Sequence, residues 1–239
     1  ISWNVLKSII NRNKKRKVAT RFKINNNIIE NPEAIADKFN EYFINIGPTL
    51  AKDIPSSDRT PSDYLHNRIH ESFFFAPVLE NEILMIISKL KNSSSGWDCF
   101  ETKVIKEIKT IIVEPLVYIC NLSISTGIFP YELKLAQVVP IFKAGDDEFF
   151  SNYRPVSILS VFSKIFEKIV YQRLLDFLNK HGVLYAFQFG FRQHHSTYMA
   201  LLTLVDRIST VLDEGKIVVG IFLDFSKAFD TVDHKILSK

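Results

Sequence analysis

Apolar residues recur at helical spacing near the start of the chain. The stretch NPEAIADKFNEYFINIGP opens with a possible capping asparagine and a proline suited to a first turn, and Gly47-Pro48 is expected to end the helix. Five apolar residues fall on one face: Ile35, Phe39, Tyr42, Phe43 and Ile46. That face is therefore expected to pack against another element.

Two more helical patterns follow a polar, proline-bearing stretch that is typical of a linker. The first covers residues 81–91 and has an apolar stripe formed by Ile83, Ile86, Ile87 and Leu90. The second runs from about Thr102 to Thr126, and Pro115 is expected to bend or break it because proline lacks the N–H that a helix needs.

The pattern then becomes strand-like. LAQVVPIFKAGDDEFFSNYRPVSILS predicts two strands around a polar turn at residues 144–147. Two amphipathic helices follow: one over 163–182 that Gly182 closes, and one over 197–214 with Ser196 as its cap and Gly215 as its end.

An apolar run, Ile217–Leu223, predicts a buried strand, and the carboxylate of Asp224 comes directly after it. SKAFDTVDHKILSK then predicts a new helix with Ser226 as its cap. Because helices and strands stand in separate blocks, the sequence favours an α+β fold.

Composition narrows the class of protein. The 239 residues are 46% apolar and include 20 phenylalanines, which indicates a globular chain with an aromatic core. Two cysteines fit a reducing compartment, and no apolar run approaches the ~20 residues of a membrane span, so we expect an intracellular protein without a membrane partner. The chain does not begin with Met, and we expect it to be part of a longer polypeptide.

The net charge of +4 conceals a basic start. Eight of the 30 basic residues fall within residues 1–29, which contain no acidic residue, whereas the remaining 22 are outnumbered by 26 acidic residues. The stretch NRNKKRKVATRFK (residues 11–23), which includes the basic cluster Lys14, Lys15, Arg16 and Lys17, suits a phosphate backbone. A solvated segment or a nuclear-import signal explains it equally well, so composition leaves the interpretation open.

Asp224 is the first candidate for chemistry. A carboxylate at the end of a buried strand can be held rigidly to bind a cation, or it can accept backbone N–H bonds at the next helix start, and the residues leave both open. An aspartyl-nucleophile phosphatase needs a second aspartate where this chain has Ser226. The adjacent His194 and His195 do not make a zinc site, and the sequence has no catalytic triad pattern and no glycine-rich phosphate loop.

Two cations flank the predicted hairpin, Lys143 before its turn and Arg154 after it. Lysine offers a point charge and arginine a planar fork, and both suit phosphate oxygens. Hairpin cations are more commonly just solvated, so the pair alone does not establish a phosphate site.

Five segments together resemble one family in order and spacing: GWDCFETKVIKEI, PIFKAGD, NYRPVSILS, QFGFRQHHST and FLDFSKAFDTVDH. They are similar to successive blocks of the reverse transcriptases of non-LTR (LINE-type) retrotransposons, in particular the jockey-like group. The resemblance implies a right-hand polymerase. It divides the chain into a basic segment (1–30), a helical region upstream of the polymerase (31–95), the fingers subdomain (96–187) and the start of the palm (188–239).

The resemblance also implies roles for individual residues. Asp224 matches the first metal-binding aspartate of the palm, and Phe225 matches the residue whose backbone carbonyl contacts the metal. Lys143 and Arg154 match fingers residues that hold the triphosphate of the incoming deoxynucleotide (dNTP). Lys227 and Ala228 match residues that contact the dNTP, and the ring of Phe229 matches the residue that gates its sugar. Arg192 and the basic cluster at residues 14–17 are expected to contact nucleic acid.

The implied reaction is attack of a primer 3′-hydroxyl on the α-phosphate of a dNTP, directed by an RNA template and assisted by two Mg²⁺ ions. The implied partners are therefore RNA template, DNA primer or target and dNTPs, in a nuclear and cytoplasmic ribonucleoprotein. The family's second aspartate block, Tyr/Phe-x-Asp-Asp, does not occur in this sequence, so residues 1–239 alone are expected to be inactive. The alternative is a degenerate or domesticated nucleic-acid-binding remnant. Oligomeric state is not determined.

Overall fold

The computed structural model of the chain describes residues 19–24, 27–52, 63, 71–225, 228, 229 and 232. Its helices and strands follow one another as β1 (Phe22–Ile24), β2 (Asn27–Ile29), α1 (Pro32–Lys52), α2 (Glu80–Lys89), α3 (Thr102–Glu107), α4 (Lys109–Thr126), β3 (Ala136–Phe142), β4 (Tyr153–Leu159), α5 (Val161–Lys180) and α6 (Thr197–Asp213). This mixture of helices and strands agrees with the predicted α+β class. Most of the predicted linker and most of the helix predicted after Ser226 lie outside the described residues; the exceptions are Ala51, Lys52, Asp63, Ala228, Phe229 and Val232. Ala228 and Phe229 form a turn and Val232 has no regular structure, so the predicted helix is not observed at these three residues.

By their contacts, the described residues form two compact units. One unit contains β1, β2 and α1 together with most of the β3–β4 hairpin, although about 85 residues separate α1 from β3 in the sequence. The other contains the helices α2 to α6. The domain boundaries expected from the family resemblance remain a prediction.

The helical unit has a core built from α2, α4 and α5. Ile83 and Ile87 of α2 are fully buried with Ile165 of α5 and Cys120 of α4, and Ile86 and Leu90 pack against the same core, so the stripe predicted for α2 is confirmed. Each fully buried aliphatic side chain stabilises the fold by about 1.5–3 kcal/mol.

Capping residues fix the helix ends much as the sequence indicates. The Asn31 carboxamide oxygen accepts the N–H of Ala34 at 3.0 Å, and the Ser196 hydroxyl accepts that of Met199 at 3.3 Å. Gly182 and Gly215 follow α5 and α6 with φ of 61° and 72°, a left-handed conformation that glycine adopts without strain. α5 begins slightly earlier than predicted, at Val161, because Ser160 caps it.

The helix end predicted at Gly47-Pro48 is wrong, and the helix around Pro115 is not broken there; a bend at Pro115 stays a prediction. α1 continues through Gly47-Pro48 to Lys52, and Pro115 lies inside α4, whereas the break between α3 and α4 falls at Ile108. A helical proline removes the hydrogen bond to the carbonyl four residues earlier, and that loss is tolerable where water reaches the freed carbonyl. Both prolines lie on exposed faces, and Ile111, four residues before Pro115, is 76% exposed.

The two short sheets are two-stranded. β1 and β2 pair antiparallel, with Phe22 opposite Ile29 and Ile24 opposite Asn27. β3 pairs with β4, and the N–H of Lys143 donates to the carbonyl of Asn152 at 2.7 Å, so the end of β3 lies beside the start of β4. The predicted hairpin is confirmed.

The strand predicted at Ile217–Leu223 is not formed. These residues have no regular structure, and Ile217 and Leu223 are 90% and 84% exposed. A strand must give its backbone groups to a neighbour, and in the described part of the chain no residue pairs with this run. α6, which precedes it, likewise has no buried residue.

Candidate functional site

Lys143 and Arg154 stand on the exposed side of the hairpin where β3 ends and β4 begins. Their neighbours Phe142 and Tyr153 turn the other way and pack together, with ring centroids 5.5 Å apart. Successive side chains of a strand alternate between faces, so this packing directs both cations towards solvent. Among the described residues, neither cationic side chain has a hydrogen-bond or ion-pair partner. Both are available to an anionic ligand.

The turn between the two cations is tied across by its own polar groups. The Asp146 carboxylate accepts the N–H of Glu148 at 3.0 Å, and its carbonyl accepts the Asn152 side-chain amide at 2.7 Å. The Tyr153 hydroxyl donates to the carbonyl of Asp147 at 2.8 Å. Gly145 has φ of 94°, a conformation that other residues rarely adopt. These bonds fix the turn to the strand that carries Arg154.

The Glu148 carboxylate in this turn is buried and pairs with both Arg21 and Lys23. The carbonyl of Glu148 also accepts the N–H of Lys23 at 2.9 Å. Hydrogen bonds from Lys23 and Arg21 hold the pKa of Glu148 below its usual value, and the hydrogen bond to Glu148 raises the pKa of Lys23. The turn is thus bonded to β1 through both backbone and side chain.

Beneath the hairpin lies an aromatic cluster of Phe22, Phe39, Phe150 and Tyr153. Ring centroids are separated by 5.0 Å for Phe22 and Phe39, 4.6 Å for Phe39 and Phe150, and 5.0 Å for Phe39 and Tyr153. Such edge-on and tilted ring pairs contribute about 0.5–1.5 kcal/mol each beyond the area they bury. Burial also raises the pKa of Tyr153.

Sequence reasoning missed this arrangement. It counted Arg21 and Lys23 among the basic residues at the start of the chain, for which phosphate contact, solvation and a nuclear-import signal were left open, whereas here they neutralise Glu148. The alternation Arg21-Phe22-Lys23-Ile24 is a strand signal that would have predicted β1, with Phe22 facing inward. Nothing in the local sequence indicates that Lys23 pairs with Glu148, which lies 125 residues further along the chain.

Asp224 lies in the irregular segment after α6, not at the end of a buried strand. Its side chain is exposed, as is Phe225, and both belong to the unit that contains α2 to α6. Ala228 and Phe229 are exposed turn residues. Lys227 lies outside the described residues, and so does the basic cluster at residues 14–17.

Arg192 is half-buried in the loop before α6. Its guanidinium donates to the carbonyl of Tyr185 at 3.0 Å, which joins the end of the QFGFR segment to a residue three positions before its start. The predicted contact of Arg192 with nucleic acid remains a prediction.

The described residues supply part of a magnesium site at most. An exposed carboxylate such as Asp224 is the kind of oxygen ligand that Mg²⁺ prefers. In the described ranges, however, no group of three or more His, Cys, Asp or Glu residues gathers in a way that could hold a metal ion. The donor set therefore fits Mg²⁺ in kind but not in number.

Comparison with known proteins places the turn of this hairpin, with both of its cations, inside a family match. Residues 141–239 match the family model described as reverse transcriptase (RNA-dependent DNA polymerase). The matched range begins two residues before Lys143 and includes Arg154, Asp224 and Phe229. This part of the chain is therefore similar to the reverse transcriptases.

The individual relatives narrow the class further. The chain is 32% identical over 176 residues to the probable RNA-directed DNA polymerase from transposon BS, and 30% identical over 178 residues to the RNA-directed DNA polymerase from mobile element jockey, both of Drosophila melanogaster. These alignments cover 72% and 74% of this chain, and each covers 19% of the relative. The resemblance to the non-LTR retrotransposon type is confirmed, and the chain spans about a fifth of the length of these relatives.

Proposed function

We propose that this chain is part of an RNA-directed DNA polymerase of a non-LTR retrotransposon, in which it supplies the fingers and the start of the palm. The polymerase adds deoxynucleotides to a primer 3′-hydroxyl on an RNA template. The observation that carries the proposal is the cross-tied hairpin, which presents Lys143 and Arg154 without partners among the described residues, inside the reverse transcriptase match. Two fixed cations at one turn are suited to hold a triphosphate.

The residues of this chain have separate tasks in that reaction. Lys143 and Arg154 grip the triphosphate and neutralise charge that develops as pyrophosphate leaves, which is how most phosphoryl-transfer catalysis is achieved. Asp224 and the carbonyl of Phe225 would contribute oxygen ligands to a divalent metal site that carboxylates elsewhere in the polymerase would complete. A divalent metal, when bound, stabilises the charge on the attacking and leaving oxygens. Phe229 excludes a ribose 2′-hydroxyl.

The wider setting of the polymerase belongs to the same proposal. RNA template, DNA primer and dNTPs are its partners, and an intracellular ribonucleoprotein is its setting. No helix in the described part of the chain is long and apolar enough to cross a bilayer. Lys227 and Ala228 would meet the dNTP through their backbone N–H groups, and Arg192 with the basic residues 14–17 would contact nucleic acid.

The test is primer extension on an RNA template by a polymerase that contains this chain together with a downstream Asp-Asp block. Lys143→Ala and Arg154→Ala should each raise the KM for dNTP by about tenfold or more, since each removes a charge-assisted contact to phosphate. Lys38→Ala is the matched control, because Lys38 is an exposed lysine of the same unit that pairs with Glu41 at 2.6 Å. An unchanged KM in both hairpin variants would refute the triphosphate role.

The same assay separates catalysis from a binding remnant. Asp224→Asn should abolish synthesis while RNA binding persists, and Phe229→Val should admit ribonucleotides. RNA binding that persists without any dNTP-dependent synthesis would instead favour the domesticated nucleic-acid-binding module. Residues 1–239 alone should not synthesise DNA, because their described carboxylates do not gather into a metal cage.

A further inference from the structure

The hairpin that carries Lys143 and Arg154 is held by residues far upstream of the reverse transcriptase match. The match begins at residue 141, whereas Phe22 of β1 and Phe39 of α1 pack directly on Phe150 and Tyr153. Residues 19–52 are therefore not a separate attachment to the polymerase: they supply half of the core on which the hairpin stands.

A continuous series of bonds leads from β1 to both cations. Arg21 and Lys23 pair with the Glu148 carboxylate, and the N–H of Glu148 donates to Asp146. The carbonyl of Asp146 accepts the side chain of Asn152, whose own carbonyl accepts the N–H of Lys143.

The last contact in this series reaches Arg154. Its neighbour Tyr153 is fixed from two sides, by its hydroxyl bond to the carbonyl of Asp147 and by the ring of Phe39 5.0 Å away. Displacement of Glu148 would consequently move the turn to which both cationic strands are bonded.

We propose that residues 19–52 act as a brace for the triphosphate-binding hairpin, and that Glu148 is the positioning residue through which the brace sets the separation and direction of Lys143 and Arg154. The inference rests on the proposed function, since it assumes that these two cations receive a triphosphate. Glu148 itself does not touch the substrate. It acts by keeping a short, exposed hairpin in one conformation before the ligand arrives, which lowers the ordering cost of binding.

Charge explains why a glutamate performs this task. A buried carboxylate needs partners, and Arg21 and Lys23 supply both of the charges that satisfy Glu148. Glu148→Gln keeps the size of the side chain but removes the ionic part of both contacts. Because the side chains of Arg21 and Lys23 are 60% and 41% exposed, changing either one empties no core space.

The experiment uses the 239-residue chain and two readouts. Hydrogen exchange reports the amide of Lys143, which is protected by its bond to Asn152. Acetylation by acetic anhydride, followed by mass spectrometry, reports the concentration of dTTP with MgCl₂ that half-protects the Lys143 ammonium. The variants are Glu148→Gln and Lys23→Met, and Glu41→Gln is the matched control because Glu41 is an ion-paired glutamate of α1.

The brace predicts one pattern across these variants. Glu148→Gln and Lys23→Met should both speed exchange at Lys143 and raise the half-protecting dTTP concentration by about tenfold, as misplacement of a binding group does. Glu41→Gln should change neither. Exchanging the partners, Lys23→Glu with Glu148→Lys, together with Arg21→Gln so that no like charge faces the new lysine, should restore much of the protection, a recovery that a simple loss of folding would not show. Unchanged protection of the α1 amides, which belong to the same unit as the hairpin, verifies that the variants fold.

Three results would overturn the inference, and they are distinguishable. If exchange at Lys143 rises while dTTP protects it as before, the brace exists but does not position the cations, and the proposed function stands. If neither readout changes in Glu148→Gln and Lys23→Met, Glu148 has no positioning role. If dTTP does not protect Lys143 even in the unaltered chain, the triphosphate role of the hairpin fails and the inference fails with it.

Discussion

Gly96 offers the sharpest single test of the packing between the GWD segment and the start of α5. A Cβ atom added at Gly96 would lie 2.8 Å from both the carbonyl carbon of Leu159 and the backbone nitrogen of Ser160. Both of these atoms belong to the backbone, so no side chain can rotate away to make room. Gly96→Ala should therefore destabilise the helical unit.

The size of the effect follows from that distance. Carbon contacts are most favourable at about 3.5–4.0 Å, so the new methyl group would be about 0.7 Å too close even at the lower limit. Relief requires the GWD segment to move away from Ser160, whose hydroxyl caps α5 and bonds to Asp98 at 2.5 Å. Overpacking of this kind costs about 1–3 kcal/mol. For a chain of this size the Tm should fall by roughly 2–12 °C.

Thermal unfolding by circular dichroism measures the change, and hydrogen exchange locates it at the N-terminal turn of α5. Gly190→Ala is the matched control, since no atom lies within 4 Å of its added Cβ and its φ is not in the left-handed region. It should leave the Tm unchanged or slightly higher. If Gly96→Ala and Gly190→Ala melt at the same temperature, the close approach at Gly96 is not a feature of the folded protein.

Three further predictions concern the core, the cysteines and the turn. Phe39→Ala should lower the free energy of unfolding by about 3–5 kcal/mol, because it removes the central ring of the aromatic cluster. Hairpin amides should then lose protection from hydrogen exchange, whereas Ile44→Ala, at an exposed position of the same helix, should leave their protection unchanged. Burial raises the pKa of Cys120 to about 12, so iodoacetamide at pH 8 should label exposed Cys99 in the native chain and Cys120 only after unfolding; rapid native labelling of Cys120 would contradict its burial. Folding lowers the pKa of Glu148, so its stabilisation of the turn should be complete above the ordinary carboxyl pKa and should be lost as the pH falls through the lowered pKa. Exchange of the Lys143 amide should therefore become faster in acid than its intrinsic rate explains, and Glu148→Gln should remove this acid sensitivity.

Local signals in the sequence were sufficient for most of the helices and for the hairpin. Asn31 and Ser196 cap as expected, and the stripe of α2 is buried where the 3.6-residue period puts it. The prolines misled because a proline breaks a helix or leaves it intact according to whether water can reach the freed carbonyl. The exposure of the proline therefore decides whether the helix continues, and the exposed face of α4, on which Pro115 lies, is known only from how α4 packs.

The candidate site was likewise only partly predictable from the sequence. Lys143 and Arg154 were identifiable from their residue types, their place beside a turn and the family resemblance. Their support by β1 and α1 was not, since Glu148 looks like one more solvated acid in the run GDDE and its two cations stand 125 and 127 residues earlier. The prediction for Ile217–Leu223 was wrong for a related reason. An apolar run favours burial, but a strand forms only where a neighbouring strand pairs with its backbone.

By itself, the sequence determined most of the helices and the β3–β4 hairpin, the chemistry of the residues at that hairpin and the resemblance to non-LTR reverse transcriptases. Short-range rules carry that information, because caps, turns and apolar periodicity act over a few residues and motifs are read in order. The tertiary structure alone decided that residues 19–52 and the hairpin form one unit around Phe39, and that Arg21 and Lys23 serve Glu148. Those contacts join segments more than a hundred residues apart, where the energy of packing rings and pairing charges outweighs any local preference.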